Sequence, residues 1–519
     1  MKFSIDQEEK LNNLLNATST IIQISLTISE QVQIIDKLKT AFSKLNIDEN
    51  FDLRENFKPD NVEFIFGPPG SGKTTFLSKE ISKIIEQSKK CKILVLTPSN
   101  KASDVLTTKL LTENKGKDVS WIWRFVTTND PKLELEECVY DRSSEIERQD
   151  KVCVLTTTAR FPYDGFNNNS LREIEWDFII IDEASMIPLI HIMYPYYKCP
   201  ESKFIIAGDP FQIHPIVKVP LWDEENIYKM INLNSFIDPR TEPHSYKIQN
   251  LNTQYRSIPA IGELFSQYSY SGELNHFRNS DLKRKFIIKK LAFKDINFIT
   301  FPVNSTSSLF EAKKLLNSNV HLYSVLFCFE FLVYISKNMN THKQEKVWTI
   351  GVICPYRNQV EIINKLWGNR KIKDENVVVN IGTVHGFQGD ECDFIIALYN
   401  PPASGMVRNS DKVFINKQNI LNVAISRAKD TLFILMPNHE YEHYNQLYEL
   451  RTLGGITCNM KESVTTMSSN EIENVMFDNP NYIEDNTFVT MHQMTNVYDK
   501  SGYKYEIRID ENSVDVQIN

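Results

Sequence analysis

The residues with the clearest chemical purpose are Gly67-Pro68-Pro69-Gly70-Ser71-Gly72-Lys73-Thr74-Thr75. Glycines at this spacing let backbone N–H groups turn inward around phosphate oxygens, and a helix that starts where they end adds a positive dipole. Lys73 supplies a point charge for the phosphates, and Thr74 can offer its hydroxyl to Mg²⁺. A Gly-rich turn that binds nothing is the plain alternative. Against it stands the context, because a phosphate-binding loop of this kind joins a strand to a helix. Val62 to Phe66 reads as a short buried strand, and Phe76, Leu77, Ile81, Ile84 and Ile85 form the apolar stripe of a helix.

The carboxylates that would complete such a site come later in the chain. After the apolar run Phe178 to Ile181 stand Asp182 and Glu183, at the end of a buried strand where parallel sheets bind ligands. Asp182 would hold Mg²⁺ beside Thr74, and Glu183 would polarise the water that attacks a γ-phosphate. Taken alone, the pair could merely cap a helix. The run Phe204 to Ala207 then ends in Gly208-Asp209-Pro210-Phe211-Gln212, where Gly and Pro force a turn. Gln212, a neutral donor and acceptor, can report whether a γ-phosphate is present; an ordinary Asp-Pro turn is the bland reading.

Holding these groups together requires a parallel sheet. From 62 to about 238, short continuous apolar runs (Phe64 to Phe66, Ile93 to Leu96, Val152 to Leu155, Phe178 to Ile181, Phe204 to Ala207) alternate with helical or irregular stretches. Strands buried on both faces look like this. Residues 107–150, charged and carrying Trp121 and Trp123, break the alternation and read as an insertion. A second α/β unit follows, with strand candidates Thr349 to Ile353, Val377 to Ile381, Phe394 to Leu398 and Leu432 to Leu435. The expected organisation is a helical lead-in at 1–61, a first domain at 62–240, a second at 241–440 and an extension at 441–519. In the extension, Thr487 to His492, Tyr503 to Ile509 and Val514 to Ile518 read as small antiparallel β-structure.

Composition sets outer limits. At 519 residues the chain has room for about three domains of roughly 150 residues. A formal charge of −8 gives no global basic field, so any nucleic acid must be gripped by local patches. The 8 cysteines are scattered with no C-x-x-C pair, which argues against a zinc site or a disulfide framework and for a reducing compartment. The N-terminus has no apolar core like that of a signal peptide. The most apolar stretch, Val320 to Ile335, is interrupted by His321 and Glu330 and reads as a buried helix. These features lead to the expectation of a soluble, intracellular protein with no membrane partner.

The second unit carries its own chemistry. Gln254-Tyr255-Arg256 and Asn422-Val423-Ala424-Ile425-Ser426-Arg427-Ala428-Lys429 each place one arginine with no acid nearby at helical spacing. If both reach across an interdomain cleft, Arg256 and Arg427 would stabilise charge developing on a γ-phosphate; two surface arginines are the alternative. Thr383-Val384-His385-Gly386-Phe387-Gln388-Gly389-Asp390-Glu391 has glycines that permit close backbone approach to phosphate or nucleic acid, or is a simple Gly-rich loop.

The series as a whole resembles the superfamily 1 helicases. Thr97-Pro98-Ser99-Asn100, Gln254-Tyr255-Arg256 followed by Pro259, Cys354-Pro355-Tyr356-Arg357-Asn358-Gln359, Gly386-Phe387-Gln388-Gly389 and Val423-Ala424-Ile425-Ser426-Arg427-Ala428 are similar to one branch of them. That branch contains the nonsense-mediated-decay helicase, senataxin and the Dna-two nuclease-helicase, and the order and spacing match from about residue 62 to 437. The resemblance implies an α/β fold with two RecA-like parallel-sheet domains in tandem, which clamp ATP and Mg²⁺ between them and hold single-stranded DNA or RNA across their top. It implies phosphate and metal contacts for Lys73, Thr74 and Asp182, water activation by Glu183, γ-phosphate sensing by Gln212 and finger roles for Arg256 and Arg427. Tyr255 would stack near the adenine, with Gly389 and Glu391 near phosphate and ribose. Ser99, Asn100, Thr157, Pro355, Tyr356, Thr383 and His385 would touch the strand. Gln31 is the candidate for the family's adenine-reading Gln, although it lies farther upstream than usual and Gln7 competes. His385 stands where the family commonly has Asp, and 107–150 sits where the branch carries a strand-contacting subdomain. The implied function is an ATP-dependent helicase or translocase that moves 5′ to 3′ as a monomer. An ATP-regulated nucleic-acid clamp or sensor without unwinding is the alternative.

Overall fold

The structure, a computed structural model, describes residues 59–518 apart from 126–127, 129, 136–137, 141–142, 163–170, 216–225, 234–235, 237–245, 281–290, 316–317, 341–346, 371–375, 388, 404–412, 492–501 and 510–513. The lead-in up to residue 58, with Gln7 and Gln31, lies outside the described residues, as do Gln388 and His492.

Eight parallel strands form the first sheet: β1 (Val62–Phe66), β2 (Cys91–Thr97), β3 (Ile122–Phe125), β4 (Val139–Tyr140), β5 (Lys151–Thr157), β6 (Phe178–Ile181), β7 (Lys203–Gly208) and β8 (Lys247–Asn250). Their order is β4-β3-β5-β2-β6-β7-β1-β8. Crossover connections put helices on both faces, so the central strands are buried on each side and read as unbroken apolar runs. Helices α1 (Lys73–Gln87) and α2 (Asn100–Glu113) cover one face. There Leu77, Ile81 and Ile85, four residues apart on one stripe, pack with Leu106, Leu110, Ile65, Ile93 and Ile180.

Two departures from the expected boundaries follow from pairing that sequence periodicity does not encode. Residues 107–150 are not an insertion outside the sheet, because α2 runs on to Glu113 and β3 and β4 form the sheet's edge. Trp121 and Trp123 are core residues, and the charge that made the stretch look extraneous sits on exposed turn residues such as Lys115, Lys117 and Asp118. Among the described residues of the stretch one charge is inside: Arg124, fully buried, pairs with Asp104 at 2.7 Å and donates to the Leu155 carbonyl at 3.2 Å. The second departure is β8, which pairs with β1 and carries the first sheet past residue 240.

The second sheet has six parallel strands: β9 (Ile296–Phe301), β10 (Trp348–Cys354), β11 (Val377–Thr383), β12 (Cys392–Leu398), β13 (Ala428–Pro437) and β14 (Val464–Ser468), in the order β11-β10-β12-β13-β9-β14. Strand β14 comes from the stretch expected to be a separate extension and pairs with β9. Helices α3 (Pro259–Ser269), α4 (Leu322–Asn340), α5 (Arg357–Asn369) and α6 (Gln418–Ile425) belong to this half. The chain is thus two RecA-like parallel-sheet domains in tandem. Among the described residues one segment, Leu322–Met339 of α4, is long and apolar enough to cross a membrane, and 78% of it is buried inside the protein.

The C-terminal strands β15 (Thr487–Met491), β16 (Tyr505–Ile509) and β17 (Val514–Ile518) form a mixed sheet rather than an antiparallel one. β16 and β17 are antiparallel, but β15 and β16 are parallel, since the connection between them is long enough to return the chain in the same direction. Tyr505 and Lys504 reach buried Glu330 on α4, which anchors the extension to the second domain.

Candidate nucleotide cleft between the two domains

The phosphate loop is built as its spacing requires. Gly67 leaves β1 with its N–H on the Gly208 carbonyl (2.9 Å), and the chain then turns through Gly70 (φ 69°) and Gly72 (φ 79°) into α1. Gly70 has a second reason to lack a side chain: a Cβ there would lie 2.6 Å from the Arg256 Cβ of the other domain. The Tyr255 N–H also donates to the Gly70 carbonyl at 2.8 Å, so the Gln254-Tyr255-Arg256 segment rests directly on the loop. The Ser71 hydroxyl is buried without a hydrogen-bond partner, a polar atom left for a ligand to satisfy.

The Lys73 ammonium lies 3.0 Å from Glu183 Oε1 and 3.9 Å from Asp182 Oδ1. Burial pushes the Asp182 carboxyl up to about 6 against the pull of Lys73. For Glu183, burial also raises the value, but Lys73, Arg427 and Arg256 together hold it below the usual carboxylate range. Glu183 has φ 53°, a left-handed conformation that a non-glycine residue keeps only when its surroundings impose it, and such strain gathers at functional sites. Its Oε2 is buried with no partner.

Both arginines of the second domain enter the same cleft. Arg427, 3% exposed, donates to Gln212 Oε1 at 3.0 Å and to the Val423 carbonyl at 3.2 Å. Burial and the neighbouring Arg256 bring its pKa to about 10, which leaves it a cation at neutral pH. Arg256 donates to Glu391 Oε2 at 2.7 Å and to the Ser426 carbonyl at 3.0 Å. Burial would raise Glu391, but Arg256 and Lys429, the latter 2.7 Å away, take it down to about 2. Gln254 Oε1 accepts the N–H groups of Arg256 and Ser257. From behind, Arg278 donates to the carbonyls of Arg256 (3.0 Å) and Lys429 (3.1 Å) and pairs with Asp430. One side chain thus braces both arginine-bearing segments.

These groups line a cleft of about 620 Å³. Pro68, Pro69, Gly70, Ser71, Gly72, Lys73, Thr74, Thr75, Asp182, Glu183 and Gln212 face it from the first domain, and Tyr255, Arg256, Gly389, Glu391 and Arg427 from the second. Gly67 is not among the lining residues and packs against the Lys73 side chain. Of the residues expected on a nucleic-acid strand, Ser99 and His385 reach this cleft. The others fall into two groups at the C-terminal ends of the sheets. Thr97 is in register with Thr157, with Ser99 and Asn100 just beyond; Cys354 is in register with Thr383, with Pro355, Tyr356 and His385 just beyond. Asn100 is engaged from within, accepting a hydrogen bond from Arg124 at 3.0 Å, and Ser99 caps α2. The His385 ring stacks on Phe414 at 6.0 Å, and burial lowers its pKa, so an uncharged aromatic stands where an acid was the expected type.

Lys101 and Asp390 in the cleft, and Phe277 beside Tyr255, escaped the sequence. Lys101 and Asp390 form an ion pair at 2.6 Å across the mouth, joining the two domains. Tyr255, 52% exposed, meets Phe277 at a ring distance of 5.0 Å, and Phe277 is itself 73% exposed. Lys101 does stand beside the Ser99-Asn100 segment, but nothing in a lone Asp or Phe marks its partner.

Comparison with known proteins agrees with this layout. Two family models, each described as an AAA domain, match residues 54–218 and 234–439. The DNA replication ATP-dependent helicase/nuclease dna2 of Schizosaccharomyces pombe is 27% identical over 420 residues, covering 74% of this chain and 27% of the relative. Replicase polyprotein 1ab of Alphamesonivirus 1 is 26% identical over 420 residues, covering 80% of this chain and 7% of the polyprotein. The RNA helicase Mov10l1 of Mus musculus is 23% identical over 400 residues, covering 72% of this chain and 32% of the relative. The chain therefore spans a third or less of the length of each of these three relatives. With the P-loop, the acidic pair and both arginines gathered in one cleft between two matched domains, the two AAA-domain matches and the helicase relatives indicate a superfamily 1 helicase of the Upf1-like and Dna2-like branch, with ATP-hydrolysing domains.

Proposed function

We propose that this chain is an ATP-driven motor on single-stranded nucleic acid, moving 5′ to 3′ and separating strands as a monomer. The observation that carries the reading is that Arg256 and Arg427 of the second domain enter the cleft that holds Lys73, Asp182, Glu183 and Gln212 of the first. All of these come from one chain, which supports a monomer.

The donor set fits a nucleotide with its metal: buried Ser71 Oγ and Glu183 Oε2 lack partners, and Thr74 and Asp182 face the same cleft. Mg²⁺ held by Thr74 and Asp182 would neutralise phosphate charge. Lys73 and the loop N–H groups bind phosphate oxygens. Glu183, kept ionised by its cationic neighbours, orients a water and accepts its proton. Arg256 and Arg427 stabilise charge on the transferred group, and Gln212 reads its presence. The exposed Tyr255 ring offers a stacking face for the base.

Each turnover shifts the balance between closed and open arrangements of the two domains. The strand would lie on the C-terminal ends of both sheets, over Ser99, Asn100 and Thr157 in one domain and Pro355, Tyr356, Thr383 and His385 in the other. Alternate gripping by the two groups moves it. Two of the relatives are a DNA replication helicase and an RNA helicase, so both polymers belong in the test. ATP hydrolysis is measured alone and with single-stranded DNA or RNA, and strand separation on forked duplexes of each polarity. Stimulated hydrolysis with 5′-to-3′ displacement is expected. Hydrolysis indifferent to nucleic acid would refute the motor, and stimulation without displacement would make the chain a clamp.

A further inference from the structure

Beside the cleft, a chain of buried polar groups crosses from one domain to the other. Asp209, fully buried, follows β7. Its Oδ1 accepts the Phe211 N–H at 3.0 Å, and its Oδ2 accepts from both Gln212 Nε2 at 3.0 Å and the Tyr270 hydroxyl at 2.6 Å. Tyr270 caps the C-terminus of α3 in the second domain and is also fully buried. Its hydroxyl accepts a hydrogen bond from Asn422 Nδ2 at 2.8 Å, and the same amide donates to the Phe211 carbonyl at 2.9 Å. Asn422 lies on α6, whose C-terminal end leads into Arg427, and Arg427 donates back to Gln212.

The circuit closes on the sensor. Gln212 must donate to Asp209 and accept from Arg427, so both ends of its amide are assigned and a flip would lose both bonds. Buried polar groups are costly unless every partner is in place, and apolar residues could have packed the same space. The neighbouring rings hold the geometry: Tyr270 meets Phe211 and Phe236 edge-on at 5.6 and 5.8 Å.

We infer that Tyr270 is a positioning residue: through Asp209 it fixes the amide of Gln212, and through Asn422 it holds α6 and Arg427, coupling γ-phosphate sensing to the placement of the second domain. The inference rests on the proposed reading of the cleft as an ATP-hydrolysing site. Tyr270 touches no reacting atom, so its loss acts on turnover and coupling rather than on nucleotide binding.

The test is Tyr270→Phe in the full chain, which removes one hydroxyl and keeps the ring. Tyr268→Phe is the control: Tyr268, 6% exposed on the same helix, bonds Glu449 within the second domain and does not reach the cleft. Steady-state ATP hydrolysis with and without single-stranded nucleic acid, nucleotide affinity and the thermal midpoint are measured for each. Tyr270→Phe is expected to lower kcat about tenfold and remove most of the nucleic-acid stimulation, with KM and nucleotide Kd within about twofold, while Tyr268→Phe keeps its kcat. Asp209→Asn combined with Tyr270→Phe should lose no more than the worse single variant, as members of one network do. Full kcat in Tyr270→Phe, equal loss in Tyr268→Phe, or simple multiplication in the double variant would overturn the inference. No ATPase in the unmodified chain would instead remove the reading beneath it, and the inference with it.

Discussion

Arg427 of the second domain donates a hydrogen bond to Gln212 of the first at 3.0 Å, and both side chains are almost wholly buried. An arginine so placed can sense and stabilise charge on a γ-phosphate only while the domains are together. Arg427→Ala is therefore expected to reduce single-turnover hydrolysis by about a thousandfold or more, the range of arginine fingers, with a much smaller change in nucleotide Kd. Equal loss of both would contradict the finger role.

Lys73 and Glu183 are 3.0 Å apart, yet they should fail differently. Lys73→Ala removes the phosphate cation and is expected to weaken both binding and hydrolysis. Glu183→Gln keeps the shape but cannot take a proton, so hydrolysis falls by about a hundredfold to ten-thousandfold while nucleotide still binds. A fluorescent-nucleotide titration beside a phosphate-release assay separates the two. Unchanged turnover in either variant refutes the assignment.

Gly70 makes the approach of the second domain possible. In Gly70→Ala the new methyl would meet the Arg256 Cβ at 2.6 Å, and the φ of 69° adds strain of about 1–2 kcal/mol. The expected result is a folded protein, by circular dichroism, whose kcat drops because Arg256 is displaced. Normal kcat would mean that Arg256 is not needed where it stands.

Glu473 gives the fold a pH dependence. Burial pushes its carboxyl up to about 7 from an ordinary 4.5, despite hydrogen bonds from Tyr323 and the Ile483 N–H. The folded pKa is above the unfolded one, so this contribution is fully present below about 4.5 and is lost as pH rises through about 7. Thermal midpoints are expected to fall between pH 5 and 8. Glu473→Gln should make that slope shallower, with Asp182 and Asp209, both near 6, supplying part of what remains. An identical slope in the variant would show that Glu473 is ionised throughout.

Arg124 and Asp104 form a buried pair at 2.7 Å under the edge of the first sheet. Arg124→Ala removes the buried guanidinium from Asp104 and is expected to cost about 3–5 kcal/mol in urea unfolding, while Arg124→Met with Asp104→Leu should recover much of it. A loss under about 1 kcal/mol in the single variant would show that water reaches Asp104.

The phosphate loop was legible because every signal for it is local. A five-residue strand, a Gly-rich turn and a helix with Leu77, Ile81 and Ile85 on one stripe lie within one short stretch, and no distant residue is needed to recognise them. The same holds for Asp182-Glu183 after β6 and for the segments around Arg256 and Arg427. What misled was a proxy. Charge at 107–150 reads as extraneous, whereas buried Trp121, Trp123 and Arg124 show that a strand one in from the sheet's edge can be embedded among exposed turns.

The sequence by itself determined the alternation of strands and helices and singled out the side chains that the structure gathers in one cleft, because burial on both faces and tight Gly-rich turns leave patterns over a few neighbouring residues. Only the tertiary structure decided that β8 closes the first sheet and β14 the second, that Lys101 meets Asp390, and that Tyr270 reaches Asp209 across 61 residues of chain. A run of apolar residues says that a strand is buried but not beside which strand. A single polar residue has no period at all, so its partner is fixed only when the packed sheets bring the two together.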